Sequence, residues 1–199
     1  MWREIGEGLR LTFGHPILRA LTVSASMRAF FSGTFATLYT VRMLGVTPLL
    51  FGLLVTMGGV GALLGSFIAA KATHRFGTGK VIIASALIDG SMTLLIPLSF
   101  GPLPLAVALL IMAQLIGDCG AMIQSITEVS LRQMLVPDSL LGRVNASIQF
   151  LVGGVALLGA ILAGLLSEIV DVRVTLLIGS AGVLCSSLWL LFSPVRQLC

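Results

Sequence analysis

Charge is scarce in this chain. Of 199 residues, 10% are Asp, Glu, Lys or Arg, against about a quarter in an ordinary soluble domain. Hydrophobic residues make up 57%, and the mean hydropathy is +1.08. A water-soluble fold has nowhere to hide that much apolar surface, so composition alone excludes the soluble class and points to an integral membrane protein. Aromatics are few as well, at 7%, with two Trp and one Tyr. The net charge of +4 therefore comes from basic clusters with no aromatic interleaving, and nucleic acid is not the expected partner. The three cysteines, Cys119, Cys185 and Cys199, show no CxxC spacing and no partner His. They read as small apolar side chains rather than a disulfide or metal framework. Enzyme signatures are missing too. There is no HExxH, no GxSxG and no phosphate-cradling Walker loop, which argues against catalysis, a cofactor or ATP drive within this chain.

What the chain has is long apolar runs. A membrane span needs about 20 such residues, and six candidates appear: Ile17–Val41, Leu49–Ala70, Val81–Phe100, Leu103–Thr127, Val144–Ser167 and Val174–Phe192. Residues 1–15 are amphipathic, with Trp2, Ile5, Leu9 and Phe13 roughly on one helical face. The apolar run that follows is too long for a signal peptide, and no cleavable leader is expected. Residues 194–199 form a tail. Basic residues alternate between connectors. Arg3, Arg10 and Arg19, then Lys71, Arg75 and Lys80, then Arg132 and Arg143, and finally Arg196 account for nine of the twelve Lys and Arg. Six spans and the positive-inside rule then put both termini in the cytoplasm, with the chain in the cell (inner) membrane.

Small residues recur at four-residue spacing. Gly61 and Gly65 in the second span, and Ala156, Ala160 and Gly164 in the fifth, are expected to let helix backbones approach closely in lipid.

Three ionisable residues fall inside spans, where charge is expensive and marks function by default. At about 1.5 Å per residue, Arg28 lies about 14 Å beyond Arg19, Asp89 about 14 Å beyond Lys80, and Asp118 about 15 Å from Glu128. All three are therefore expected near mid-membrane, close enough in depth for a pair or triad. Gln114, Asp118, Ala121, Ser125 and Glu128 share one face of the fourth span; Ser24, Arg28, Phe31 and Phe35 share one face of the first. Asp89 reads as a satisfied structural residue. His15 and His74 read as solvated loop residues.

The pattern resembles the C-terminal half of a major facilitator superfamily transporter, of the drug and siderophore exporter branch that includes enterobactin exporters and macrolide efflux proteins. EGLR…HPILRAL is similar to the central loop entering the seventh helix, and GGVGALLGSFIA to the eighth. SLRQMLVPDSLLGRVNAS, the most specific match, is similar to the loop between helices ten and eleven. KATHRFGTGK resembles the superfamily's Gly-x-x-x-Asp-Arg-x-Gly-Arg-Lys loop. Arg75, Gly77 and Lys80 fit that motif, and His74 stands where its acidic residue belongs.

The resemblance implies an all-α membrane fold of six helices, built as two inverted three-helix repeats, with the bilayer, protons and a small-molecule substrate as partners. The missing N-terminal half, or a second copy, would complete it, because family members have twelve helices and Met1 falls where the central loop lies. It also places Arg28, Gln114, Asp118 and Gln124 on a central pathway, with Phe31 and Phe35 as apolar wall. Asp118 then either carries a proton beside Arg28 or forms with it a purely structural ion pair. Arg132, Pro137, Asp138, Gly142 and Arg143 belong to a cytoplasmic clamp or gate. In it Pro137 ends a helix, Asp138 or Ser139 caps a short surface helix, and Glu128 can pair with Arg132 four residues on. The implied activity is gradient-driven efflux. The rival expectation is a truncated, non-transporting remnant or interaction protein.

Overall fold

The computed structural model describes residues 2–32, 47–99 and 102–197. An amphipathic helix, α1 (Trp2–Gly14), leads into α2 (Pro16–Phe31). Then come α3 (Pro48–Phe76), α4 (Thr78–Thr93), the single turn α5 (Leu95–Leu98), α6 (Leu103–Leu135), α7 (Asp138–Ile169) and α8 (Val172–Leu191), followed by a 3-10 turn at Pro194–Gln197. Among the described residues, five segments are long and apolar enough to cross a membrane: Leu49–Phe76, Thr78–Leu98, Leu103–Leu135, Asp138–Ile169 and Val172–Leu191. The expected first span begins as α2, and its residues 33–41 lie outside the described residues.

Helix limits follow local chemistry. Thr47 caps α3 by accepting a hydrogen bond from the Leu50 amide at 3.4 Å, and the Asp171 side chain caps α8 by accepting from the Arg173 amide at 2.8 Å. Pro97 cannot donate to the Thr93 carbonyl and its ring crowds that carbonyl. The third span accordingly breaks at Leu94, between α4 and α5.

Two connectors differ from expectation. The 71–80 stretch is helical almost throughout and is interrupted only at Gly77, with φ 85° and ψ 149°. That backbone region is essentially restricted to glycine. Gly77→Ala is therefore expected to cost about 1–3 kcal/mol, read as a lower unfolding midpoint in detergent; an unchanged midpoint would show that the turn has another conformation open to it. The 131–143 stretch holds no separate surface helix either. The backbone is extended at Val136 and Pro137, and α7 then runs unbroken from Asp138 for 32 residues, with no side-chain cap from Asp138 or Ser139. Helix-forming residues on both sides of the one proline explain this, since Pro137 ends α6 yet is well tolerated immediately before α7.

The helices pack in the order α3, α6, α4, α8, α2, α7, each against the next, and α6 meets α7 over a small area. Apolar side chains seal one end. Ala20, Leu21, Ile82, Ile83, Ala86, Leu131, Leu190 and Val195 form the main cluster, and Leu18, Val136, Val144 and Ile148 a second beside it. Both clusters lie toward the basic connectors. Leu176 forms a third with Ile96, Ala163 and Val172 toward the other end, and between them helix contacts use small residues and hydroxyls, as suits helices whose solvent is lipid. The Ser24 hydroxyl donates to the Ser186 carbonyl at 3.0 Å, and that of Ser187 to the Ala86 carbonyl at 2.8 Å.

The N-terminal helix α1 lies along the start of α7. Gly8 and Thr12 are buried, and a Cβ on Gly8 would sit 2.7 Å from the Arg143 carbonyl oxygen, whereas Phe13 is exposed. The missing side chain of Gly8 permits this close approach to α7.

Candidate functional site

The three intramembrane charges meet in one layer. Arg28 on α2 donates from Nη1 to Asp89 Oδ2 on α4 at 2.6 Å. Sequence reasoning weighed Asp118 as the partner and left Asp89 to a structural role. The packing order explains the difference: α2 and α6 are not neighbours. Gly117 lets α4 come close enough to α6 that Asp89 Oδ1 lies 3.9 Å from where a Cβ at Gly117 would be. Asp118, the next residue, sits within electrostatic reach of both Asp89 and Arg28. Its carboxylate points the other way, toward α3, where Oδ2 fills the space left by the missing side chain of Gly58. Gln114 Nε2 lies 3.3 Å from the same missing Cβ. Gln114 and Asp118 thus share the α3-facing side of α6, as their spacing requires. Asp118 makes no hydrogen bond or ion pair with another of the described residues.

Gln124 does not join this layer. It is 4% exposed, and its Nε2 donates to Glu128 Oε1 at 2.7 Å. Glu128 and Arg132 do not pair with each other; Arg132 instead donates from Nη1 to Asn145 Oδ1 on α7 at 2.7 Å. Gln124, Glu128, Arg132 and Asn145 therefore form a second polar group. Glu128 was read only as a polar-face residue and a possible partner of Arg132, and Asn145 was missed. The spacing of Gln124, Glu128 and Arg132, four apart on one helix face, was the available signal for the first; nothing local signals Asn145. Phe31 lines an apolar cavity between α2, α7 and α8, with its ring packed against Gly182 on α8 and edge-on to Phe30 at 5.1 Å. Phe35 lies outside the described residues.

The connector residues sit on the surface. Arg75 is stacked over the Phe76 ring at 5.5 Å; Lys80, Pro137, Asp138, Gly142 and Arg143 are exposed. Of the expected packing residues, Gly61 and Gly65 do make a close helix contact. Gly61 abuts the Leu115 carbonyl, and a Cβ on Gly65 would lie 2.5 Å from the Cys119 carbonyl oxygen. Their partner is α6 of the same chain. In the fifth span, Gly164 faces open space and Ala160 is half-buried, while Gly159 meets the Phe30 carbonyl of α2. The contact face of α7 is rotated away from the Ala160 and Gly164 stripe.

Long apolar helices, hydroxyl-to-carbonyl contacts between them and a charged layer inside the bundle define a multi-pass α-helical membrane protein. The model of the Major Facilitator Superfamily matches residues 20–198, and the chain belongs to that superfamily, whose members are membrane transporters. A search of the curated proteins finds no match.

Proposed function

We propose that this chain supplies a six-helix half of an ion-gradient-driven exporter of a small molecule, such as a drug or siderophore, and that it works by alternating access. A second six-helix half, or a second copy, completes the pathway. The observation that carries this reading is Asp118. Arg28 is already engaged by Asp89, so Asp118 is a carboxylate at span depth that forms no ion pair among the described residues. Such a group is costly to keep ionised in a membrane and is kept where it binds an ion or proton. The packing order supports the architecture. Exchanging α2, α3 and α4 for α6, α7 and α8 turns the order α3, α6, α4, α8, α2, α7 into its own reverse, as two inverted three-helix repeats require. In this reading the basic connectors face the cytoplasm and the membrane is the cell (inner) membrane.

Asp118→Asn is expected to abolish proton-driven efflux of a fluorescent cation such as ethidium from cells that lack their own exporters, at unchanged protein level in the membrane. Efflux equal to the parent's would remove Asp118 from the mechanism.

A further inference from the structure

A second polar site lies nearer the basic connectors. A cavity of about 130 Å³ sits between α2, α6 and α7 and is lined by Ala25, Ser125, Glu128, Arg132, Ile148 and Gln149 among others. It has room for about four waters. Glu128 is 9% exposed and Gln124 is 4% exposed. Gln124 Nε2 holds Glu128 Oε1, which leaves Oε2 for the cavity that Glu128 lines. Two buried atoms of its neighbours have no hydrogen-bond partner among the described residues: Gln124 Oε1, an acceptor, and Arg132 Nε, a donor. Native interiors rarely leave such groups unmet unless water or a ligand reaches them.

We propose that Glu128 is a proton-exchanging carboxyl group served by water in this cavity, with Gln124 and Arg132 as its positioning residues. Oε2 takes a proton from hydronium, giving the carboxylic acid and water; the reverse step restores carboxylate and hydronium. The Gln124 amide can donate to Oε1 in both states, so the side chain keeps its orientation. The acid form adds an O–H donor for Gln124 Oε1 or a cavity water to accept. Among the described residues, two cations act on Glu128. Its own helix presents Arg132 and α2 presents Arg28. From α7 come Ile148 and Gln149, neither titratable. The helices α3 and α4 pack on other faces of α6, through Gly65 and Gly120, and their nearby Lys71, Arg75 and Lys80 are exposed. The proposal deepens the transport reading by adding a second proton site on α6, and it takes its purpose from that reading.

The test is infrared difference spectroscopy of the full chain in lipid, between neutral and mildly acidic pH, in H2O and D2O. The parent is expected to show a carboxylic-acid carbonyl band that rises on acidification and shifts down in D2O. Glu128→Gln is expected to lose that component. Gln124→Leu is expected to keep it at higher wavenumber, because the carbonyl loses its amide donor. Identical difference spectra from the parent and Glu128→Gln would overturn the proposal. Should Glu128→Gln fail to insert, Glu128→Asp keeps the acid but moves it one methylene back. The band should then shift, and an unmoved band would be equally fatal. No transport is measured, so failure here is distinct from failure of the Asp118→Asn efflux test.

Discussion

Gly61→Ala and Gly159→Ala are expected to destabilise the bundle by about 3 kcal/mol each, at the upper end of what overpacking costs. A Cβ at Gly61 collides with the Leu115 backbone carbonyl, and one at Gly159 with the Phe30 backbone carbonyl. Neither obstacle is a flexible side-chain tip. Relief requires whole helices to separate, α3 from α6 in one case and α7 from α2 in the other. Gly164→Ala is the matched control. Nothing lies within 4 Å of its missing Cβ, and alanine favours a helix over glycine by up to about 1 kcal/mol. That substitution should therefore stabilise slightly. Unfolding in mixed micelles of increasing SDS fraction separates the two signs. Equal effects at Gly159 and Gly164 would mean that α7 presents a different face to α2.

The second large effect concerns the Arg28–Asp89 pair. Arg28→Met should cost about 2 kcal/mol, because it leaves the Asp89 carboxylate without its counter-ion. That is below the 3–5 kcal/mol or so typical of a fully buried pair: 35% of the Arg28 side chain is exposed, against 14% for Asp89. Asp89→Leu should cost a similar amount, because it strands the guanidinium. The double variant should recover most of the loss, since two apolar side chains leave no charge to solvate. A double-mutant cycle measures that recovery directly. Additive losses in the cycle would show that the two side chains do not depend on each other, and the charged layer would lose its basis. The same variants probe Asp118. Removing Asp89 frees Arg28 to turn toward α6, so Asp89→Leu alone should alter the pH dependence of efflux more than the double variant does.

Much of this was legible along the chain. The apolar runs marked the spans, because a bilayer admits little else. Loop residues set the depth of each charge to within a helical turn, because helix rise is constant, and Arg28 and Asp89 do meet in one layer. The glycine spacing of the second span marked a true contact face. The Pro137 stop was also visible, although the surface helix expected after it does not form.

What the chain could not specify is rotation and neighbour order. Depth is one coordinate of three. Arg28 could equally have met Asp118 until the order α3, α6, α4, α8, α2, α7 set Asp89 on α4 against its guanidinium and turned the Asp118 carboxylate toward α3. Gly159 and Gly164 have similar credentials in sequence, and only the rotation of α7 on α2 makes one a contact and the other open surface. Asn145 joins Arg132 because α7 turns back beside α6 after Pro137, a long-range event with no local trace. Composition and helical periodicity thus determined that this protein lives in a membrane, how many times its described helices can cross it, and how deep its charges lie. Tertiary packing decided which charge answers which. Coulomb energy and close backbone contact both depend on distances between helices, and those distances are set by the assembled bundle.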